Sequence, residues 1–103
     1  MRKVTREVVG AFLARKSKTV GNTRTDGESL YLFGHEIAYH INSTSDRISI
    51  SSCNWHTNTT KDRLNGLLEL AGTGKQIFQK DFVWLVYDQR NDVTKPFYNG
   101  MVI

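Results

Sequence analysis

Residues Asn54 to Leu70 read NWHTNTTKDRLNGLLEL, a polar, threonine-rich segment that passes directly into an amphipathic helix. Leu64, Leu67, Leu68 and Ala71 recur at the three- and four-residue spacing that gathers side chains on one helix face. Thr59 is the expected N-cap, Asp62 three residues on completes an approximate capping box, and Gly72 is the expected stop. Gly66 inside the helix costs up to about 1 kcal/mol relative to alanine, which predicts close packing of its backbone against a sheet. One stretch therefore supplies a core anchor and, at its polar start, a candidate contact surface.

On either side of this helix the period changes to two. Leu30 and Leu32, then Ile37, Tyr39 and Ile41, then Ile48 and Ile50 alternate, with Gly34-His35-Glu36 and residues 42–47 as turns. This predicts a three-stranded antiparallel meander with those residues on its inner face and Tyr31, Phe33, Ala38, His40, Ser49, Ser51 and Cys53 on its outer face. Downstream, Gln76 to Gln79 and Phe82 to Tyr87 read as a hairpin turning near Lys80-Asp81, and FVWLVY, apolar on both faces, is expected to be a central strand. The tail holds an Asn99-Gly100 turn signal between Phe97-Tyr98 and Met101-Val102-Ile103, the pattern of a last small hairpin. At the start of the chain, Thr5 as N-cap with Val8, Val9, Phe12 and Leu13 predicts a helix over about residues 5–16. Ser17 to Ser29, whose one apolar side chain is Val20, reads as a long loop with a turn at Asp26-Gly27. The order α-β-β-β-α-β-β gives a single α+β domain over residues 1–103, an antiparallel sheet with both helices packed on one face.

With 103 residues the chain buries enough surface to need no staples, and 39% apolar with 23% charged residues is the composition of a soluble globular protein. No apolar run approaches the roughly 18 residues of a membrane span. The charged start followed only by Val8 to Ala14 reads as an amphipathic helix rather than a signal peptide. The single Cys53 leaves no internal disulfide, so the expected compartment is the cytoplasm, where the sequons at Asn42 and Asn58 have no meaning.

The net charge of +4 is concentrated: within residues 1–18, Arg2, Lys3, Arg6, Arg15, Lys16 and Lys18 face Glu7 alone. Such asymmetry suits nucleic acid or an acidic partner, and equally a solvated helix face. Lys61 and Arg63 fall in the first turn of the second helix, where the dipole disfavours cations and a bound anion would offset them. Gly21-Asn22-Thr23-Arg24-Thr25 and Asn58-Thr59-Thr60-Lys61 share one chemistry, suited to polar recognition of a backbone or of another protein's loops. Trp55, in the loop before the helix, is the expected exposed aromatic anchor. The candidate contacts for nucleic acid or partner protein are therefore Arg2, Lys3, Arg6, Arg15, Lys16, Asn22, Arg24, Trp55, Asn58, Thr60, Lys61 and Arg63.

Cys53 and His56 have the spacing of half a zinc site, but His35 and His40, which would have to complete it, are expected on opposite faces. No metal and no cofactor are expected. No phosphate loop, dinucleotide fingerprint, nucleophile elbow or H-E-x-x-H occurs, and the carboxylates are scattered, so no catalytic residue is assigned and a binding protein is expected rather than an enzyme.

The first five elements resemble the order of a double-stranded RNA-binding domain, with the basic cluster of its final helix reduced to Lys61 and Arg63. More specifically, AFLARKSKTVGNTRTDGESLYLFGHEIA at residues 11–38, Trp55 with the following TNTTKDRLNGL at residues 57–67, and IFQKDFVW at residues 77–84 resemble small accessory proteins encoded by tailed bacteriophages. The resemblance implies a protein of the host cell cytoplasm made during infection, where binding nucleic acid and inhibiting host defence or host enzymes are the usual tasks. A non-enzymatic nucleic-acid-binding module is the first expectation. A protein-binding inhibitor of a bacterial defence system or host enzyme is the alternative. The oligomeric state is not legible in the sequence.

Overall fold

The alternating positions do form strands in the computed structural model, which describes all 103 residues. The order is α1 (Lys3–Leu13), β1 (Ser17–Val20), β2 (Thr23–Asp26), β3 (Ser29–Leu32), β4 (His35–His40), β5 (Ile48–Ile50), α2 (Asn58–Leu70), β6 (Lys75–Lys80), β7 (Val83–Asp88), β8 (Val93–Pro96) and β9 (Met101–Val102). The α+β class and the run of helix, strands, helix, strands stand as read. All strand pairs are antiparallel, in a six-stranded sheet ordered β1-β2-β3-β4-β5-β9 and a three-stranded sheet with β7, the doubly apolar FVWLVY strand, at its centre. Both helices and both sheets contribute to one apolar core, among them Val8, Val9 and Phe12 from α1 and Leu64, Leu67 and Leu68 from α2.

The segment read as a long loop is instead the β1–β2 hairpin. Its inward residues are threonines: Thr23 and Thr25 are buried while Arg24 and Asp26 are exposed, a strand alternation written in polar residues. Threonine's branched Cβ suits a pleated surface, and its hydroxyl is tolerated inside only when bonded. Both hydroxyls are bonded, Thr23 Oγ1 to Asn22 Oδ1 at 2.8 Å and Thr25 Oγ1 to the Ser29 carbonyl at 2.7 Å. Gly27 (φ +94°) then lets the chain turn against the end of α1, since a Cβ there would stand 2.8 Å from the Arg15 carbonyl oxygen.

A β-bulge corrects the predicted faces of β4. Leu30 pairs with Ala38 but Tyr31 with Glu36, so Ile37 is an extra residue and the alternation reverses after it. Ile37, Ala38 and His40 are all buried, whereas Tyr39 and Ile41, expected inside, are 42% and 40% exposed. Ser49 on β5, expected outside, is likewise buried.

Helix ends also move. The α1 N-cap is Arg2, leaving Thr5 inside the helix and fully buried, and the α2 N-cap is Thr57, whose side chain accepts the Thr60 N–H at 3.1 Å. Gly66 is needed for close packing, but against α1: a Cβ would meet Thr5 Cγ2 at 2.3 Å. The outer edge of β6 is closed by Asn65 of α2, whose amide gives to the Ile77 carbonyl at 2.9 Å and accepts the Ile77 N–H at 2.7 Å. In the tail, Asn99-Gly100 does turn the chain, yet Met101–Val102 pairs with β5 rather than with Phe97-Tyr98. No helix is long and apolar enough to cross a membrane.

Candidate functional site

Arg63, on the helix that opens with the second Asn/Thr segment, reaches across to the first. Only 2% exposed, it sends Nε to Thr23 Oγ1 at 2.8 Å, Nη1 to Thr5 Oγ1 at 2.9 Å and to Asp62 Oδ2 at 2.7 Å, and Nη2 to Asn22 Oδ1 at 3.3 Å. Asp62 also accepts from the Thr5 hydroxyl. Partial burial pushes the Asp62 carboxyl up, but the hydrogen bonds from Thr5 and Arg63 and the guanidinium charge outweigh it, so its pKa lies below the ordinary 3.8. Arg63 is thus no surface cation awaiting an anion. A buried charge demands partners, and these come from α1, β2 and the β1–β2 turn at once.

This network sets three loops side by side at one end of the molecule. The Asn22 carbonyl accepts the Phe33 N–H at 2.8 Å, which ties the β1–β2 turn to the β3–β4 turn. Between the β3–β4 turn and the start of α2 lies a half-open pocket of about 140 Å³. Its apolar lining comes from Leu32, Phe33, Ile37 and Trp55, and its polar lining from His35, Ser52, Thr57, Thr59 and Thr60. Phe33 and Trp55 stand on the rim, 60% and 50% exposed, with the His35 ring tilted against Trp55 at 5.1 Å between centroids. The neighbouring His56 stacks on Trp84 of β7 at 4.5 Å, which anchors the Trp55 loop to the second sheet. The β6–β7 turn, with Phe82 92% exposed, begins two residues along the strand from Trp84.

Of the residues proposed from the sequence, Trp55 and Thr60 line this pocket, Asn22 and Asn58 lie beside it, and Lys61 is half-exposed on the first turn of α2. Thr60 is buried and turned into the Thr57 cap, its hydroxyl 3.0 Å from Thr57 Oγ1. Arg2, Lys3 and Arg6 are exposed on α1, Lys3 within 3.9 Å of Glu7. Arg24 projects from the opposite face of the sheet to the buried Thr23 and Thr25, and its guanidinium lies 4.1 Å from the Tyr31 ring centre. Arg15 holds the β4–β5 loop, donating through Nη2 to the Asn42 and Ser45 carbonyls at 3.0 Å each, so it too is structural. Lys16 is exposed just beyond it. Of the eight cations among these residues, Arg63 is buried and Arg15 is bonded to the β4–β5 loop, so the eight do not form one free basic face.

Phe33, His35 and Thr57 are the site residues that the sequence reading missed. A signal for Phe33 exists: it holds φ +51° in a two-residue turn with Gly34, where a bulky side chain is out of place. The Cys/His group does not assemble. Cys53 donates its thiol to the Glu36 carbonyl at 2.8 Å, and the buried His40 stacks on Phe12 and donates Nε2–H to the Phe12 carbonyl at 2.8 Å. No three His, Cys, Asp or Glu side chains are gathered as metal ligands would be.

The chain belongs to the Kyanoviridae Gp96 protein family, a family of bacteriophage proteins, whose model matches residues 1–103. No curated protein and no solved structure matches it.

Proposed function

For this phage chain we propose a binding role rather than a catalytic one: an accessory protein that engages a bacterial protein in the host cytoplasm through the end bearing Phe33, His35 and Trp55. The observation that carries the reading is the pocket between Phe33 and Trp55, two half-exposed aromatics from distant parts of the chain around an apolar hollow. Large aromatics beside a small pocket, ringed by hydroxyls that satisfy a partner's backbone, are the usual make-up of an interface hot spot. Inhibition of a defence protein or host enzyme is the task such a surface would serve. The test is capture from nuclease-treated bacterial lysate. A bound protein retained by the wild type and lost with Trp55→Ala supports the reading, and equal retention by the variant counts against it.

Nucleic acid is the second reading, and one arrangement speaks for it. Thr5 joins α1 to Asp62 and Arg63, which brings the exposed Arg2, Lys3 and Arg6 close to the start of α2, on the same end as the aromatics. Aromatics flanked by cations stack on the bases of single strands. This reading requires a gel shift with single-stranded oligonucleotide that fades steeply between about 50 and 200 mM salt. The loss of Arg15 and Arg63 to internal bonds makes it the weaker of the two.

A further inference from the structure

The tip of the β6–β7 hairpin is built against backbone preference. Asp81 and Phe82 both hold positive φ, +51° and +65°, in a two-residue turn that ordinarily takes Asn, Asp or Gly. Aspartate is at home there, but phenylalanine is not, since its Cβ crowds the following carbonyl. The ring gains no packing in return: Phe82 is 92% exposed, the most exposed of the large apolar side chains, and the next residue, Val83, is 51% exposed. A strained position that presents an apolar ring to water calls for an occupant that covers it.

The chain itself carries a hollow of the matching size. An apolar cavity of about 150 Å³ takes one benzene ring, and the Phe33–Trp55 pocket measures about 140 Å³ with mostly apolar walls. Ring and pocket lie on the same end of the molecule, joined through Trp84 and the stacked His56, yet Phe82 does not fill the pocket of its own chain. Two copies meeting end to end can each supply a ring to the other's pocket, which is the reciprocal arrangement of a two-fold interface.

We propose that the Phe82 ring of one copy docks in the Phe33–Trp55 pocket of a second copy, so that this chain forms a two-fold dimer through its aromatic end. The proposal rests on the reading of that pocket as a docking site. It adds that self-association and capture of a bacterial protein compete for the same surface.

The test is sedimentation of the full chain from micromolar to millimolar concentration, alongside two variants. Phe82→Asn keeps a residue that accepts positive φ while removing the ring, and Thr59→Trp fills the pocket from its half-buried wall. The wild type is expected to pass from monomer to dimer across this range. Each variant alone should associate at least about 30-fold more weakly, the loss that marks a hot-spot residue. An equimolar mixture should recover part of the association, because one variant supplies the ring and the other the open pocket. A wild type that stays monomeric at millimolar concentration, or a Phe82→Asn variant that associates as the wild type does, overturns the proposal. Thermal melting of Phe82→Asn at low concentration separates misfolding from lost contact, since relief of the strained φ should leave its midpoint at or above that of the wild type. Either failure leaves the Trp55-dependent capture of a bacterial protein as a separate result, so the dimer can fall while the docking site stands.

Discussion

Two hairpin tips lie side by side at the aromatic end, and they are built on opposite terms. The β1–β2 tip puts Gly21 where φ is +59°, so its backbone is relaxed, and its Asn22 is bonded to Arg63 beneath. The β3–β4 tip puts Phe33 at φ +51° and leaves its ring 60% exposed, so its backbone is strained and its side chain is offered outward. The first tip is optimised for folding. The second gives up stability to hold an aromatic ring on the rim of a pocket, which is what a contact residue requires and a structural turn does not.

The largest expected effect lies beneath the two tips, at Arg63. Arg63→Met removes the guanidinium that joins Thr5, Asp62, Thr23 and Asn22, leaving buried polar groups unpaired. A loss of about 3–5 kcal/mol in urea unfolding is expected, the range for breaking a buried charged network by removing one partner. Gly21→Ala should cost about 1–2 kcal/mol by forcing a side chain into the left-handed region. Phe33→Asn should move the other way, gaining up to about 1 kcal/mol because asparagine tolerates that φ and the ring it replaces is mostly exposed. The opposite signs at the two tips are the sharpest statement of the comparison, and like signs in the two melting curves would dissolve it.

The smallest effect is one of pH. The Asp62 carboxyl titrates lower in the folded chain than the ordinary 3.8, because hydrogen bonds from Thr5 and Arg63 outweigh the effect of its partial burial. Its contribution to stability is therefore fully present above that ordinary value and is lost as pH falls through the lowered one. Acid titration of unfolding should show a decline below about pH 4 that Asp62→Asn makes shallower. An identical acid limb in the variant would mean that the carboxylate is not held by Thr5 and Arg63.

The Leu and Ile positions of β3, β4 and β5 and the leucine stripe of α2 could be read because burial by apolar side chains leaves a period. Thr23 and Thr25 could not, since a strand whose buried face is threonine has the composition of a loop until the partners of its hydroxyls are known. Ile37 shows a different limit: one extra residue in a strand reverses every face after it, and nothing local in HEIAYH announces the bulge. Arg63 was misjudged because a first-turn cation looks unfavourable on helix electrostatics alone, while the carboxylate and hydroxyls that settle it lie beside it and up to 58 residues away. Of the site, Trp55 and the similarity of the two Asn/Thr segments were visible in advance. The link that Arg63 makes to the first of them was not, because it depends on the burial of that arginine.

Whether Phe33 is a contact residue is decided by a side-by-side capture from nuclease-treated host lysate by the wild type and by Phe33→Asn, with the amount of each retained protein quantified. A contact role for Phe33 requires a protein held by the wild type and retained at least about tenfold less by the variant, a change of roughly 1.4 kcal/mol or more, although the variant is folded and no less stable. The same proteins retained in the same amounts by both chains would contradict it.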